Sequence, residues 1–232
     1  VLVGVSSSIS SMNRNELIVH SMYENDVRYC SFTKSAFLEE TSLPINLCDD
    51  DIQYMSKQLN TNEMDIVYDY FIQTIPYVQT ELARINSNYY YPSNNGFAEL
   101  TETFIKRYKY TLYGTIPLQD NEIVIPKYFF DIYKTYGYQK ENMNVKIDNY
   151  TVIINQTLDF FDSKLGSQSF KIVGILDTNF NEKRYAPLLE ENINTYKYKT
   201  LVDEIREMMK SGLHNIIYLN QGYYERTAKN LY

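Results

Sequence analysis

LYGTIPLQDNEIVIPKYFFDIYKTYG, residues 112–137, holds a turn, a strand and a helix in immediate succession. Gly114 and Pro117 place a turn at its start, because glycine reaches positive φ and proline fixes φ near the value a turn needs. Glu122–Ile125 (EIVI) is short, β-branched and mostly apolar, the composition of a buried strand. Pro126 ends that strand and suits the first turn of a helix. Phe129, Ile132, Tyr133 and Tyr136 then recur at i, i+3, i+4 and i+7 and make one apolar stripe. Gly137 is placed to end the helix.

Working outward towards the C-terminus, Val145–Gln156 reads as a hairpin turning at Asp148-Asn149. Asp162–Gln168 reads as a connecting loop, Phe170–Leu176 as a strand, and Asn179–Pro187 as a polar loop. Leu201, Ile205 and Met208 fall at helical spacing before Gly212. Ile216–Leu219 is a final strand, and a helix is expected over Gln221–Tyr232.

Towards the N-terminus, Phe97–Ile105 reads as a strand, and NSNYYYPSNNG (86–96) as a loop of turn formers around three tyrosines. Val78, Leu82 and Ile85 suggest a short helix, and Met64–Ile75 fits either strand or helix. Asp49–Asp51 precede Ile52, Met55 and Leu59 at helical spacing. One aspartate is expected to cap that helix and the others to favour its positive end, a better reading than a metal site. Glu16–His20 and Asp26–Thr33 are candidate strands, and SSSISS (6–11) is a polar leading segment. Elements of both kinds alternate irregularly, which predicts an α+β fold rather than a doubly wound sheet.

The chain has 232 residues, enough to bury a core without a covalent staple. Twenty-two Lys+Arg against 29 Asp+Glu give a net charge of −7, with no basic run. That balance argues against nucleic-acid binding, which needs a basic footprint. No apolar stretch reaches the roughly 18 residues of a spanning helix, and VLVGV (1–5) lacks the basic flank of a signal peptide. The 24 Tyr and absence of Trp match an AT-rich coding sequence. A tyrosine-rich surface can also bind a partner, since the ring offers apolar area and a polar tip. Tyr89, Tyr90 and Tyr91 are the candidate contact residues, with packing as the plainer reading of the same three rings.

The signatures of chemistry are sparse. No G-x-S-x-G, H-E-x-x-H, C-x-x-C or phosphate-cradling glycine loop occurs, so no catalytic, cofactor or metal residue is nominated. His214 sits between a helix stop and a strand, as a hydrogen-bonded turn residue would. Cys30 and Cys48 leave both a bridge and a reduced pair open. A Cys30/His20 or Cys48/His214 couple would define a small thiol hydrolase. Gly174, inside a strand, points to a bulge or a close backbone approach, and Glu122 to a cap or pairing at a strand edge.

Three blocks in order carry a family resemblance. L-x-G-x-x-P followed by DNEIVIP and an aromatic helix, then FKIVGILDT (170–178), then LHNIIYL (213–219), together resemble the extracytoplasmic, MacB-like periplasmic core domain of MacB/FtsX-type bacterial ABC transporter permeases. The resemblance covers residues 96–225, and the first hundred residues match it only in general character. It implies one extracytoplasmic domain spanning 1–232, with a sheet-and-helix core lobe and a smaller inserted α/β lobe over about 46–95. It implies membrane segments flanking this chain, and separate cytoplasmic ATPase subunits. It also implies a non-catalytic role without cofactor, in which the domain couples ATP hydrolysis to work on an extracytoplasmic peptide, toxin, lipoprotein or cell-wall factor. Gly114, Pro117, Glu122 and Gly174 are its structural motif residues here. The alternative is a free secreted or surface-attached binding protein that uses the tyrosine loop.

Overall fold

The computed structural model describes residues 22–24, 29, 34–38, 41–45, 47–61, 64–68, 86, 89, 94–140, 143–162, 165–190, 194–208 and 212–228. The elements are β1 (Lys34–Leu38), β2 (Thr41–Ile45), α1 (Asp49–Leu59), β3 (Val67–Tyr68), β4 (Phe97–Glu99), α2 (Glu102–Arg107), β5 (Thr111–Gly114), β6 (Glu122–Pro126) and α3 (Lys127–Tyr136). After them come β7 (Tyr138–Lys140), β8 (Met143–Val145), α4 (Tyr150–Ile153), β9 (Thr157–Asp162), β10 (Gly166–Asp177), α5 (Glu182–Tyr185), α6 (Lys199–Met208) and β11 (Ile217–Leu219).

The strand-proline-helix reading of 122–137 is met. Pro126 closes β6 and caps α3 from outside rather than opening the helix, and Gly137 ends it at φ 89°, its N–H donating to Tyr133 O at 2.8 Å. Five residues of α3 are buried: Tyr128, Phe129, Phe130, Ile132 and Tyr133. At roughly 1.5–3 kcal/mol for each large apolar side chain removed from water, that face anchors the helix. Tyr136, expected on the stripe, is 41% exposed at the last turn.

The main sheet runs β3-β4-β11-β6-β10-β5, with β9 pairing β10 as a seventh strand among the described residues. It is mixed: β6–β10 and β4–β11 are parallel, and β3–β4, β6–β11, β9–β10 and β5–β10 are antiparallel. With helices on a mixed sheet, the fold is α+β. Both faces of the sheet are covered, which is why Ile123, Val124 and Ile125 are apolar in succession. Ile123 and Ile125 join Phe97, Ile217, Leu219 and the α3 side chains in one core; Val124 joins Ala98, Tyr218, Phe104 and Tyr110 in the other. No helix of the described residues is long and apolar enough to cross a membrane.

Several expectations are corrected. Phe97–Ile105 is not one strand: it breaks at Thr101, whose side chain caps α2 by accepting from Phe104 N–H at 3.0 Å. The hairpin expected over Val145–Gln156 does not form, because Asn149 caps α4 by accepting from Thr151 N–H and β8 pairs back to β7. Of the loop expected over Asp162–Gln168, Asp162 ends β9 and Gly166–Gln168 begin β10, paired antiparallel with it, and the Asn179–Pro187 loop contains α5, capped by Asn181. At Thr101, Asn149 and Asn181 a short polar side chain satisfied a helix start where the pattern read strand, hairpin or loop. At the C-terminal end the described part of the expected helix is a π-helical turn, Tyr224–Ala228.

Most of the 46–95 lobe lies outside the described residues. Of it, α1 carries no buried residue and β3 pairs with β4 in the main sheet. The readings at VLVGV, SSSISS, Glu16–His20, residues 69–85 and Tyr90-Tyr91 also lie outside the described residues.

Candidate functional site

The motif residues nominated from the sequence converge. Gly114 on β5 pairs with Gly174 on β10 in antiparallel register. β10 is irregular here: Ile172 pairs with Ile123 and Gly174 with Val124, so Val173 is the extra residue of a bulge. The bulge carries the Val173 carbonyl towards β5, where it accepts Thr115 N–H at 3.1 Å. A Cβ on Gly114 would lie 2.4 Å from Val173 O and 2.8 Å from Gly174 Cα, and Gly114 holds φ +105°. A Cβ on Gly174 would lie 2.9 Å from Thr115 O. Both glycines are demanded by backbone meeting backbone.

Pro117 is buried at the head of the loop that links β5 to β6, and Glu122 closes that loop. Its Oε2 accepts Leu118 N–H at 2.9 Å and Gln119 N–H at 3.2 Å, so Glu122 is a cap. From the same loop Asp120 binds the Arg226 guanidinium at 2.5 Å and accepts from Asn220 Nδ2 at 2.9 Å. Arg226 holds the Asp120 carboxyl below the usual carboxylate range. Glu99 accepts Gly222 N–H and Tyr224 N–H, at 2.7 and 3.1 Å. The loop and the chain leaving β11 are thereby tied to the sheet from two sides.

Tyr89 does not present an exposed ring. It is 7% exposed, its carbonyl accepts the Tyr128 hydroxyl at 3.0 Å, and it forms one wall of a cleft of about 310 Å3. Tyr128, Ile132, Tyr136 and Leu189 complete the apolar lining, with Asp131 and Glu182 at the polar side. The Lys127 ammonium lies 2.5 Å from Asp131 Oδ2 and also bonds Glu182 Oε1. Burial would lower the Lys127 pKa, but the bonds to both carboxylates outweigh it and the ammonium is held charged. Asp131 is pushed up to about 6, first by burial and then by the neighbouring Glu182, against the pull of Lys127. Two carboxylates share one cation, and Asp131 holds its proton to a higher pH than an ordinary carboxylate does. The Lys127/Asp131 spacing of four was legible in the sequence; Glu182, 55 residues on, was not.

His214 is fully buried in a 3-10 turn (Leu213–Asn215), as its turn reading expected. Its Nδ1 is 3.1 Å from the Tyr23 hydroxyl, and burial lowers its pKa to about 3. Cys48 is exposed, a free thiol just before α1. It, rather than an aspartate, is the N-cap residue of that helix: Asp51 Oδ2 accepts Cys48 N–H at 2.9 Å and the thiol at 3.0 Å. The structure therefore does not form the Cys48/His214 couple; Cys30 and His20 lie outside the described residues.

Comparison with known proteins returned no match: no family pattern fits the chain, and no curated protein or solved structure resembles it significantly.

Proposed function

We propose that this chain is the non-catalytic extracytoplasmic domain of a MacB/FtsX-type permease, a rigid body that passes motion driven by cytoplasmic ATPase subunits to a peptide or protein partner outside the membrane. One observation carries the reading. The three sequence blocks behind the resemblance, about a hundred residues from first to last, form neighbouring strands of one sheet, in the order β11-β6-β10-β5. Their motif glycines meet at the β5–β10 crossing, and Glu122 closes the loop between the two strands of the first block. Such a body suits a lever: its central strands are buried on both faces, and the loop and the exit from β11 are clamped to it by Asp120, Arg226 and Glu99.

The test is labelling of intact producing cells with a membrane-impermeant amine reagent, read by mass spectrometry. Lys106 and Lys146 are suitable reporters, with side chains 78% and 84% exposed; Lys127, held between two carboxylates, is not. Modified Lys106 and Lys146 within a much larger membrane-bound chain support the permease domain. The same labels on a free chain favour a secreted or surface-attached binding protein, the second reading, for which the tyrosine-walled cleft beside Tyr89 is the supporting observation. Labelling only after lysis rejects both.

A further inference from the structure

His214 is 0% exposed, and its Nε2 has no hydrogen-bond partner among the described residues. Its ring stacks on Phe180 at 4.3 Å and 10°, and meets Tyr128 edge-on at 5.4 Å. Its other nitrogen faces the Tyr23 hydroxyl, which also accepts the His214 backbone N–H at 3.3 Å. Among the described residues the titratable groups facing the ring are Tyr23, with Tyr29 behind it, from the leading segment, and Tyr128 from α3. The loop before α5 contributes the uncharged Phe180, and no charged side chain of the described residues offsets the burial of the ring. On α3, Lys127 and Asp131 are engaged with Glu182.

The same contacts fasten the leading segment. Tyr23 and Phe180 form an antiparallel bridge, Glu24 N–H donates to Asn179 O at 2.8 Å, and Asn181 N–H donates to Met22 O at 2.7 Å. These bonds join residues 22–24 to residues 179–181, beside the Tyr23–His214 pair and the packing of Met22, Tyr23 and Phe180 in the core. Ile217–Leu219, just beyond His214, is a buried strand paired on both sides, to β4 and to β6, in the middle of the sheet.

We propose that His214 is an acid-operated latch: protonating its ring separates residues 22–24 from residues 179–181 while the sheet beneath stays folded. A protonated imidazole must donate from both nitrogens. Nδ1–H can donate to Tyr23 if that hydroxyl turns its own proton to Tyr29 Oη, 3.3 Å away. Nε2–H has no acceptor among the described residues, and an unpaired charge in an apolar box is costly. Hydrating the ring relieves that cost, and the route that leaves the central strand in place is to lift the Tyr23 and Phe180 segments that close over the ring, at the cost of exposing their buried side chains.

The test is hydrogen exchange read by mass spectrometry on the whole chain at pH 7.5 and 5.0, corrected for the intrinsic pH dependence of exchange. With the buried ring at about 3 and an opened ring near 6.5, the open population rises about 30-fold over that interval. Peptides covering 22–24 and 179–181 are expected to loosen by about that factor, those within β10 (170–176) to stay protected, and the His214→Phe chain to lose the effect. Asp131 titrates in the same range but is retained in that variant, so the difference belongs to His214. An unchanged 22–24 segment, equal loosening of β10, or the full effect in His214→Phe overturns the proposal. Should His214→Phe not fold, the native imidazole is followed by NMR, assigned with a His20→Gln chain. Loss of the Phe180 ring contacts as His214 gains its proton upholds the latch; a ring that titrates near 6.5 with those contacts intact overturns it.

Discussion

Gly114 and Gly174 lie opposite one another across β5 and β10, and a side chain on either would run into the backbone on the other side of the pair. Gly114→Ala forces a Cβ to within 2.4 Å of the Val173 carbonyl and keeps φ at +105°. The backbone conformation alone costs about 1–3 kcal/mol, and the clash adds to it. Gly174→Ala meets Thr115 O at 2.9 Å without the φ penalty, so it is expected to cost less. Urea unfolding of the two variants checks the order; equal midpoints to the native chain would mean the strands part without cost.

Glu122→Ala removes the acceptor of two backbone N–H groups, those of Leu118 and Gln119. The expected loss is about 1 kcal/mol. Hydrogen exchange at residues 118 and 119 should rise while β6 itself stays protected. If exchange at both is unchanged, the carboxylate does not hold the loop.

Asp131 should titrate near 6 by carbon-detected NMR, above the usual carboxylate range. Lys127→Met is expected to move it higher and Glu182→Gln to bring it down, since the first removes the attracting cation and the second the repelling charge. The folded chain holds this proton at a pH where the unfolded carboxyl has released it. Asp131 therefore favours folding more as pH falls from about 6 towards 4, and its contribution is lost above that window. Asp131→Asn should abolish this part of the pH dependence.

Cys48 is expected to react with iodoacetamide in the native protein without reductant. Cys48→Ser should change stability by less than about 0.5 kcal/mol, on the stabilising side, because serine is a preferred N-cap. Protection of Cys48 until reduction would show that it is bridged in solution.

The 112–137 stretch was legible because every signal in it is local. Proline and glycine restrict the chain at their own positions, and a strand buried on both faces must be apolar throughout, whatever covers it. Elsewhere local signals misled: Thr101, Asn149 and Asn181 each begin a helix too short to show periodicity, so their surroundings read as strand, hairpin and loop. Gly174 was readable as marking a bulge or a close approach, and the bulge falls at Val173 beside it while the close approach is its own; that its partner is Gly114 was not readable, since the two are 60 residues apart and meet only when β10 lies between β6 and β5.

Composition and spacing therefore determined the α+β class, the central strand-helix unit and the turn, cap and bulge readings at Gly114, Glu122 and Gly174, because those depend on the conformational limits of single residues and on burial. Tertiary structure alone decided which groups share an environment. It set Glu182 beside Lys127 and Asp131, closed Tyr23 and Phe180 over His214, and kept Cys48 away from any histidine of the described residues. Charge sharing and desolvation act through space between residues far apart in the chain, and no local pattern encodes that distance.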